Sequence, residues 1–513
     1  MEVEKNVDVN AVGLVHTEEK TDGEDPALFK TSSTEAAEVT LLSADAKEER
    51  WVLWKIDMVI MPLMCTVFFF QYLDKTSLSY AAVFNMRTDT HLVGQDYSWL
   101  STLFYLGQFF SEYPMTYLLA RFQVARVVGV STVFWGIVCM CIAAVQNFAG
   151  FGAVRFILGI AEGAVSPAFV LITSYWYKRS EHPMRVAAWV SCNGLAQIIG
   201  ALAMYGIGKI TGAAVESWRL MFLITGALTI VFGALFLFLM PISPLTAWFL
   251  KPKEREIAHA RLQVDRLTDE HLNFDRRQLW EALMDPKVWC IFVLSILTCV
   301  TSFVITFGSI IISGFGYGSF QTMLVGLPAG GIQIFFIWVS AFGMRFIPNS
   351  RTYLGCFLTL VPLIGSSLLL SLPIDNKWGL VVSCWFATVL SDLMVIGLSL
   401  CASNVKGNTK KTTVNVIYFI GYCTGCCIGP QLWITAEAPR YHTGCVANIA
   451  CLAALAVTFL VYRGLCAWDN RKRDRLMETM GQVEYEAYRI GKQRGRDPSD
   501  LTDLEDVSFR YVL

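Results

Sequence analysis

From Val288 to Met344, and again from Thr412 to Ala436, the chain carries no acidic or basic side chain. Each run is longer than the ~20 apolar residues that cross a bilayer as a helix. Only 16% of the residues are charged and 54% are hydrophobic, against about a quarter charged in an ordinary soluble domain. These runs exclude a soluble globule and imply an all-α protein that crosses the membrane many times.

Apolar segments fall at 56–82, 97–117, 127–146, 148–173, 186–208 and 219–241. They resume at 288–313, 320–344, 352–372, 378–403, 412–433 and 443–463. The spacing predicts twelve transmembrane helices in two six-helix halves, residues 51–245 and 288–466. Between them, 246–287 reads as a cytosolic, partly helical linker, whose stretch 250–287 holds eight basic and eight acidic residues. Residues 1–50, with 13 acidic and 5 basic residues, read as a disordered tail. A second tail, 467–513, opens on the charged cluster "DNRKRDR".

Loop charge sets the orientation. Arg121, Arg126, Lys178, Arg179, Arg185, Arg345, Arg351, Lys406, Lys410 and Lys411 fall in loops on one side, against Arg87, Lys209, Lys377 and Arg440 on the other. The richer side is cytosolic, which places both termini and the linker there. Trp51, Trp54, Trp176, Trp218 and Trp433 lie near span ends and read as interfacial anchors. The halves share a weak repeat, "ARFQVARVVG" after span 2 and "MRFIPNSRTYLG" after span 8. Halves related in this way suit an alternating-access carrier whose site lies between them near the midplane.

Set in from the ends of the spans are six ionisable residues: Asp74, Lys75, Glu112, Arg155, Glu162 and Asp392. Intramembrane charge is costly and marks function by default. Four acids against two bases leave two carboxylates without a counter-charge, and such groups neutralise by taking up protons. No histidine lies inside a span, so a proton relay has to use carboxylates. Arg155 and Glu162 are seven residues apart, about two turns, and so project from one helix face roughly 10 Å apart. Lys75 and Arg155 suit a substrate carboxylate, with Asp74 and Glu162 as protonatable partners. The alternative is that these groups form buried salt bridges. Glu112 either joins the coupling acids or pairs with the loop arginines, and Asp392 either touches substrate or is a hydrogen-bonded helix residue.

Softer candidates are uncharged. Asn193 and Gln197 share a face of span 5, and Asn415 and Tyr418 share a face of span 11; interhelical hydrogen bonding explains them equally well. Gly421, Gly425 and Gly429 repeat every fourth residue and read as close helix packing. The fifteen cysteines, including Cys423 and Cys426 in a C-x-x-C spacing, read as small packing residues. The chain carries no Walker-type phosphate loop, Ser–His–Asp pattern or metal-ligand spacing, which argues against an ATP-driven pump and against an enzyme. No cofactor, metal or nucleic acid is called for.

Several stretches together resemble a known family: "FQYLDKTSLSYAA", "YSWLSTLFYLGQ", "RFILGIAEGAVSPAF", "LITSYWYKRSEHPMRVAAW", "NGLAQIIGALAMYGIGKI", "SWRLMF", "ASNVKGNTKKTTVN" and "FIGYCTGCCIGPQLW". From about residue 55 to 473 the chain resembles the fungal allantoate permease group, a branch of the anion:cation symporter family in the major facilitator superfamily. That resemblance implies a twelve-helix fold and proton-coupled import of organic anions such as allantoate, nicotinate, pantothenate and biotin. It also implies that the span 1 acid–base pair and the span 4 Arg…Glu pair carry anion contact and coupling. Asp74, Arg155 and Glu162 match that pattern, while Lys75 stands where many bacterial relatives have Arg, keeping the charge but losing the fork. Ala120 and Thr116 depart from the usual acid and glycine of the loop after span 2, and Asp392 lies outside the pattern.

The expected protein is therefore a monomeric, proton-coupled importer of a small organic anion in the plasma membrane, its partners being substrate, protons and the lipid bilayer. Export of a fungal metabolite is the alternative within transport. A non-transporting nutrient receptor is the alternative outside it.

Overall fold

The computed structural model describes residues 46–178, 181–210, 214–266, 274–347, 349–493 and 500–513. Most of the acidic tail expected over 1–50, Arg179, linker residues 267–273 and the side chain of Ala120 lie outside them. Among the described residues no strand is present.

Twelve long helical elements follow one another. They are α1 Ala46–Val83, α2 Asp96–Arg121, α3 Val124–Cys141, α4 Phe148–Glu162 with Val165–Trp176, α5 His182–Val190 with Cys192–Gly208, and α6 Ser217–Leu239. Then come α7 Pro286–Thr301 with Phe303–Gly314, α8 Ser319–Phe346, α9 Arg351–Ser371, α10 Lys377–Ala387 with Ser391–Asn404, α11 Asn408–Ile428 and α12 His442–Gln493. Among the described residues eleven spans are long and apolar enough to cross a membrane. The remaining element, α2, has 26 residues but is rich in Tyr, Ser and Thr and carries Glu112. Its polar side chains face protein: Thr102, Gln108 and Ser111 are all buried.

Packing partners repeat with an offset of six. The helix pairs α1–α5, α1–α6, α3–α6 and α2–α4 correspond to α7–α11, α7–α12, α9–α12 and α8–α10. Lipid-side helices are apolar all round, as α6 shows. Ile224, Leu228, Val231, Leu235 and Phe238 face outward at helical spacing, while Met221, Phe222, Thr225 and Phe236 are buried. Bare backbone makes the tightest seams. A Cβ on Gly425 would lie 2.5 Å from the Ile296 carbonyl oxygen, and one on Gly421 would lie 2.9 Å from that of Phe292. The glycine repeat of α11 therefore packs on α7, as its spacing predicts.

Four spans are broken, which the apolar pattern does not show. In α4 the gap at Gly163–Ala164 precedes Pro167, whose missing N–H leaves the Gly163 carbonyl without its i+4 donor. In α5 Ser191 donates to the Ala187 carbonyl, and in α7 Ser302 donates to that of Cys299. Such back-bonding competes with the helical ladder and bends it. The gap in α10 lies between Ala387 and Ser391.

Three of the five tryptophans are not interfacial anchors. Trp176, Trp218 and Trp433 are buried, whereas Trp51 and Trp54 are exposed and stacked on each other. Trp218 donates to Asp89 at 2.8 Å, and Trp433 stacks on Phe307. Their broad rings pack inside the protein rather than mark the lipid boundary.

The linker is divided between the two sets of helices. Its first helix, Pro252–Arg266, is held by Glu254 to Lys55 of α1, and by Arg261 to Glu49 of α1 and to Glu181. Its second, Arg276–Met284, is held by Gln278 and Glu281 to the backbone and Lys410 of α11. The end of the chain also folds back. Residues 500–513 bond to the second linker helix, to α9, to the α10–α11 turn and to α12 through Asp500, Asp503, Asp506, Tyr511 and the Leu513 carbonyl. The tail expected over 467–513 is thus partly a continuation of α12 to Gln493 and partly a strap. Its charges find partners on the bundle, which removes the reason for it to stay solvated.

At the centre of this network the Lys410 ammonium, 1% exposed, lies 2.7 Å from Asp503, 2.9 Å from Glu281 and 3.0 Å from Asp285. Removing one member of a buried ionic set costs about 3–5 kcal/mol, because the others lose their compensation. Lys410→Ala is therefore expected to lower the thermal unfolding midpoint of the detergent-solubilised protein by several degrees, and a midpoint within a degree of the parent would refute the assignment.

Candidate functional site

The inward face of α1 carries the first half of the site. Asp74 is buried between α1, α3 and α6, where its Oδ1 accepts from the Cys139 thiol at 3.4 Å. Its Oδ2 has no hydrogen-bond partner among the described residues. Next along, the half-buried Lys75 directs its ammonium over the Phe104 ring of α2, 5.6 Å from the centroid, and to Glu162 Oε2 of α4 at 3.6 Å. That distance is an ion pair without a good hydrogen bond. Glu162 itself is 0% exposed.

Arg155 lies two turns from Glu162 on the same helix, and its guanidinium sits between the Phe151 and Phe222 rings at 5.7 and 5.9 Å. It is 2% exposed, yet its Nε and Nη2 have no hydrogen-bond partner among the described residues. Asp74 and Glu162 both lie within electrostatic reach of this cation. Buried polar groups are nearly always paired, so a guanidinium held by aromatic faces with donors to spare is an exception that leaves room for a further acceptor. The structure brings together Asp74, Lys75, Arg155 and Glu162, as the sequence predicts.

The glycine face of α4 makes this closeness possible. A Cβ on Gly159 would meet the Phe104 carbonyl oxygen at 1.9 Å, and one on Gly107 of α2 would meet that of Phe156 at 2.1 Å. Side chains at either position would push α2 and α4 apart, and with α2 would move the Phe104 ring that lies under Lys75 away from Glu162.

A second, uncharged group joins the first six helices to the last six. The Gln197 side chain of α5 donates to Gln333 of α8 at 2.6 Å and to the Tyr72 hydroxyl of α1 at 3.2 Å. Gln333 donates onward to the Ser391 hydroxyl of α10 at 2.5 Å, which also accepts from Asn193 at 3.4 Å. Tyr72 is one turn from Lys75 on α1, so the two groups border one interior. A cleft beside them is lined by Thr76, Ser79 and Gln197 from the first set and by Thr322, Ala329 and Thr388 from the second.

Other candidates stand apart. Asp392 is 1% exposed and neither of its carboxylate oxygens has a hydrogen-bond partner among the described residues. Glu112 likewise has an unpartnered buried oxygen, Oε2, and no described bond joins it to the loop arginines. Asn415 is exposed, whereas Tyr418 is buried in the α7–α11 seam, where its carbonyl accepts from Ser295 at 2.7 Å. The two therefore do not meet in one contact surface. Gln333, Ser391 and Tyr72 escape a reading built on charge. The available signal is Gln333, an amide in the middle of the uncharged run of α8.

A bundle with buried opposite charges and a polar interior between two matched sets of helices is the build of a membrane carrier. Residues 64–430 match the model of the Major Facilitator Superfamily, and the chain belongs to that family. A Schizosaccharomyces pombe transporter is 38% identical over 481 residues, covering 93% of this chain and 92% of its own. Allantoate permease of Saccharomyces cerevisiae is 31% identical over 533 residues, covering 99% and 95%. In solved structures, the proton:xylose symporter XylE shares the fold at a TM-score of 0.62 and 14% identity, over 80% of this chain and 95% of that one. The protein is thus a multi-pass membrane transporter and not an enzyme.

Glu162 has no hydrogen-bond partner among the described residues and only a 3.6 Å ion pair to the half-buried Lys75, so that pairing offsets the cost of burying its charge only in part. Glu162→Gln should therefore lower the thermal midpoint in detergent by less than Lys410→Ala does. A fall as large as that of Lys410→Ala would assign Glu162 a structural role.

Proposed function

We propose that this transporter imports a small organic anion together with protons, by alternating access across the plasma membrane. The observation that carries the reading is Arg155, a buried guanidinium with two unused donors, set within reach of two buried acids. Arg155 and Lys75 hold the substrate carboxylate. Glu162 and Asp74 take up and release the proton that travels with it, with Glu112 as a further coupling acid. Asn193, Gln197 and Asp392 supply the remaining contacts. An anion beside Arg155 neutralises the cation that stabilises the carboxylates, so a proton becomes easier to add. Anion and proton then bind with mutual support, and that is the linkage a symporter needs.

In this reading all twelve elements span the membrane as two bundles, 51–245 and 288–466. The termini and the linker 246–287 face the cytosol, and one monomer is the working unit. The likeness to allantoate permease, which spans nearly the whole chain, supports an anionic nitrogen-containing or vitamin-like substrate.

Reconstituted vesicles and a panel of radiolabelled carboxylates test the proposal. Glu162→Gln is expected to abolish uptake driven by an inward proton gradient while exchange at equal pH persists. Gradient-driven uptake at the parent rate in that variant would remove Glu162 from coupling. Arg155→Lys keeps the charge but loses the planar fork, and a lost charge-assisted hydrogen bond should raise KM by about tenfold or more. An unchanged KM would exclude Arg155 from substrate contact.

A further inference from the structure

The amide pair Gln197–Gln333 sits where α5 of the first set packs bare backbone on α8 of the second. A Cβ on Gly194 of α5 would lie 2.4 Å from the Gly330 carbonyl oxygen of α8, and one on Gly330 would lie 2.5 Å from that of Gly194. The two helices run in opposite directions between the face carrying the chain ends and the far face. Helical side chains lean toward the N-terminus of their own helix. Gln197 therefore leans toward the terminal face and Gln333 away from it, and the two amides meet across the glycine contact. From there the chain of bonds continues through Ser391 to Asn193.

The cleft lies on the far side of this bar. Its lining includes Gly326 and Ala329, about two turns and one turn before Gln333 on α8, and Thr388, about one turn before Ser391 on α10. Beyond the cleft the far face is closed by other bonds between the sets. Ser319 donates to the Val83 carbonyl at 3.0 Å, Tyr97 to that of Thr306 at 3.2 Å, and Gln431 to Thr102 at 2.8 Å. The described ion pairs of the terminal face stay within one set or tie it to its own part of the linker: Arg185 with Asp57, Lys55 with Glu254, Lys410 with Glu281 and Lys406 with Asp506.

We propose that Gln333 is the positioning residue of an uncharged gate: it bridges Gln197 and Ser391 and holds the cleft closed toward the terminal face. The proposal rests on the transporter reading but on neither the anion nor the proton. An amide suits the task because it donates and accepts at once. When the bar opens, each of its groups can re-pair with water, so opening strands no charge in the low-dielectric interior. Two neutral hydrogen bonds bias the closed state by roughly tenfold to a hundredfold. That is enough to favour closure and small enough to be reversed in each cycle.

Hydrogen–deuterium exchange of the full-length protein in lipid nanodiscs, without substrate or gradient, tests this. Gln333→Leu is expected to raise exchange roughly tenfold in the terminal-face segments 182–196, 333–346 and 391–404. Exchange in the α3–α6 seam should stay as in the parent. Gln197→Leu should give the same pattern, and the double variant should add little, because both single variants already lose the Gln197–Gln333 bond that crosses between the sets. Ser391→Ala, a milder change, should give a smaller effect in the same segments. Unchanged exchange in all these variants, or a rise spread over the whole bundle, would overturn the proposal. Because no substrate is present, failure of the gate is distinguishable from failure of the anion assignment.

Discussion

Hydrocarbon offers no hydrogen-bond partner, and the interior of this transporter is arranged around that fact. Backbone polarity is settled by helices, and where a helix breaks, the freed groups face protein. Side-chain polarity is settled less completely. Asp74, Glu162 and Arg155 are all buried, and each keeps at least one atom without a hydrogen-bond partner among the described residues. In a low-dielectric setting such gaps are expensive, and the proposed function fills them with a ligand and a proton. The tight α2–α4 seam, with Gly107 and Gly159 on opposite helices, holds this incompletely paired cluster in register.

Two kinds of polar contact are separated in space. Charges pair within one set of helices or with its adjoining linker helix, as Lys75 does with Glu162 and Lys410 with its three acids. The described bonds between the two sets are made by uncharged groups, among them Gln197, Gln333, Thr102, Gln431, Tyr97 and Ser319. A broken ion pair in a dry interior costs far more than a broken amide bond. Elements that move together can therefore be fixed by charge, whereas surfaces that part repeatedly are joined by groups that exchange partners cheaply.

Much of this was legible in the sequence. Uncharged runs revealed the helices, since their length leaves no other way to bury so much apolar surface, and the seven-residue interval from Arg155 to Glu162 placed both on one face. The glycines of α11 were readable because only close packing explains a four-residue repeat of the smallest side chain. Gln333 was not legible, because an amide in an apolar helix gains its meaning from a partner 136 positions away. The breaks in α5 and α7 depend on whether Ser191 and Ser302 bond their own backbone, which composition does not decide. Three tryptophans near span ends turned inward because ring and hydrogen-bond partners in the bundle outweighed the pull of the interface.

The strap of residues 500–513 has a consequence for how the protein is made. Gln278 waits for Asp500 across 222 positions of chain, and Lys410 waits for Asp503 across α11 and α12. A ribosome delivers the membrane helices first, so the second bundle is inserted while one wall of its charged network is still missing. Assembly therefore finishes outside the bilayer, after the last span has left the translocon. Any fluorescent or affinity fusion placed behind Leu513 has to leave room for its carbonyl to reach the Arg351 amide, 2.9 Å away.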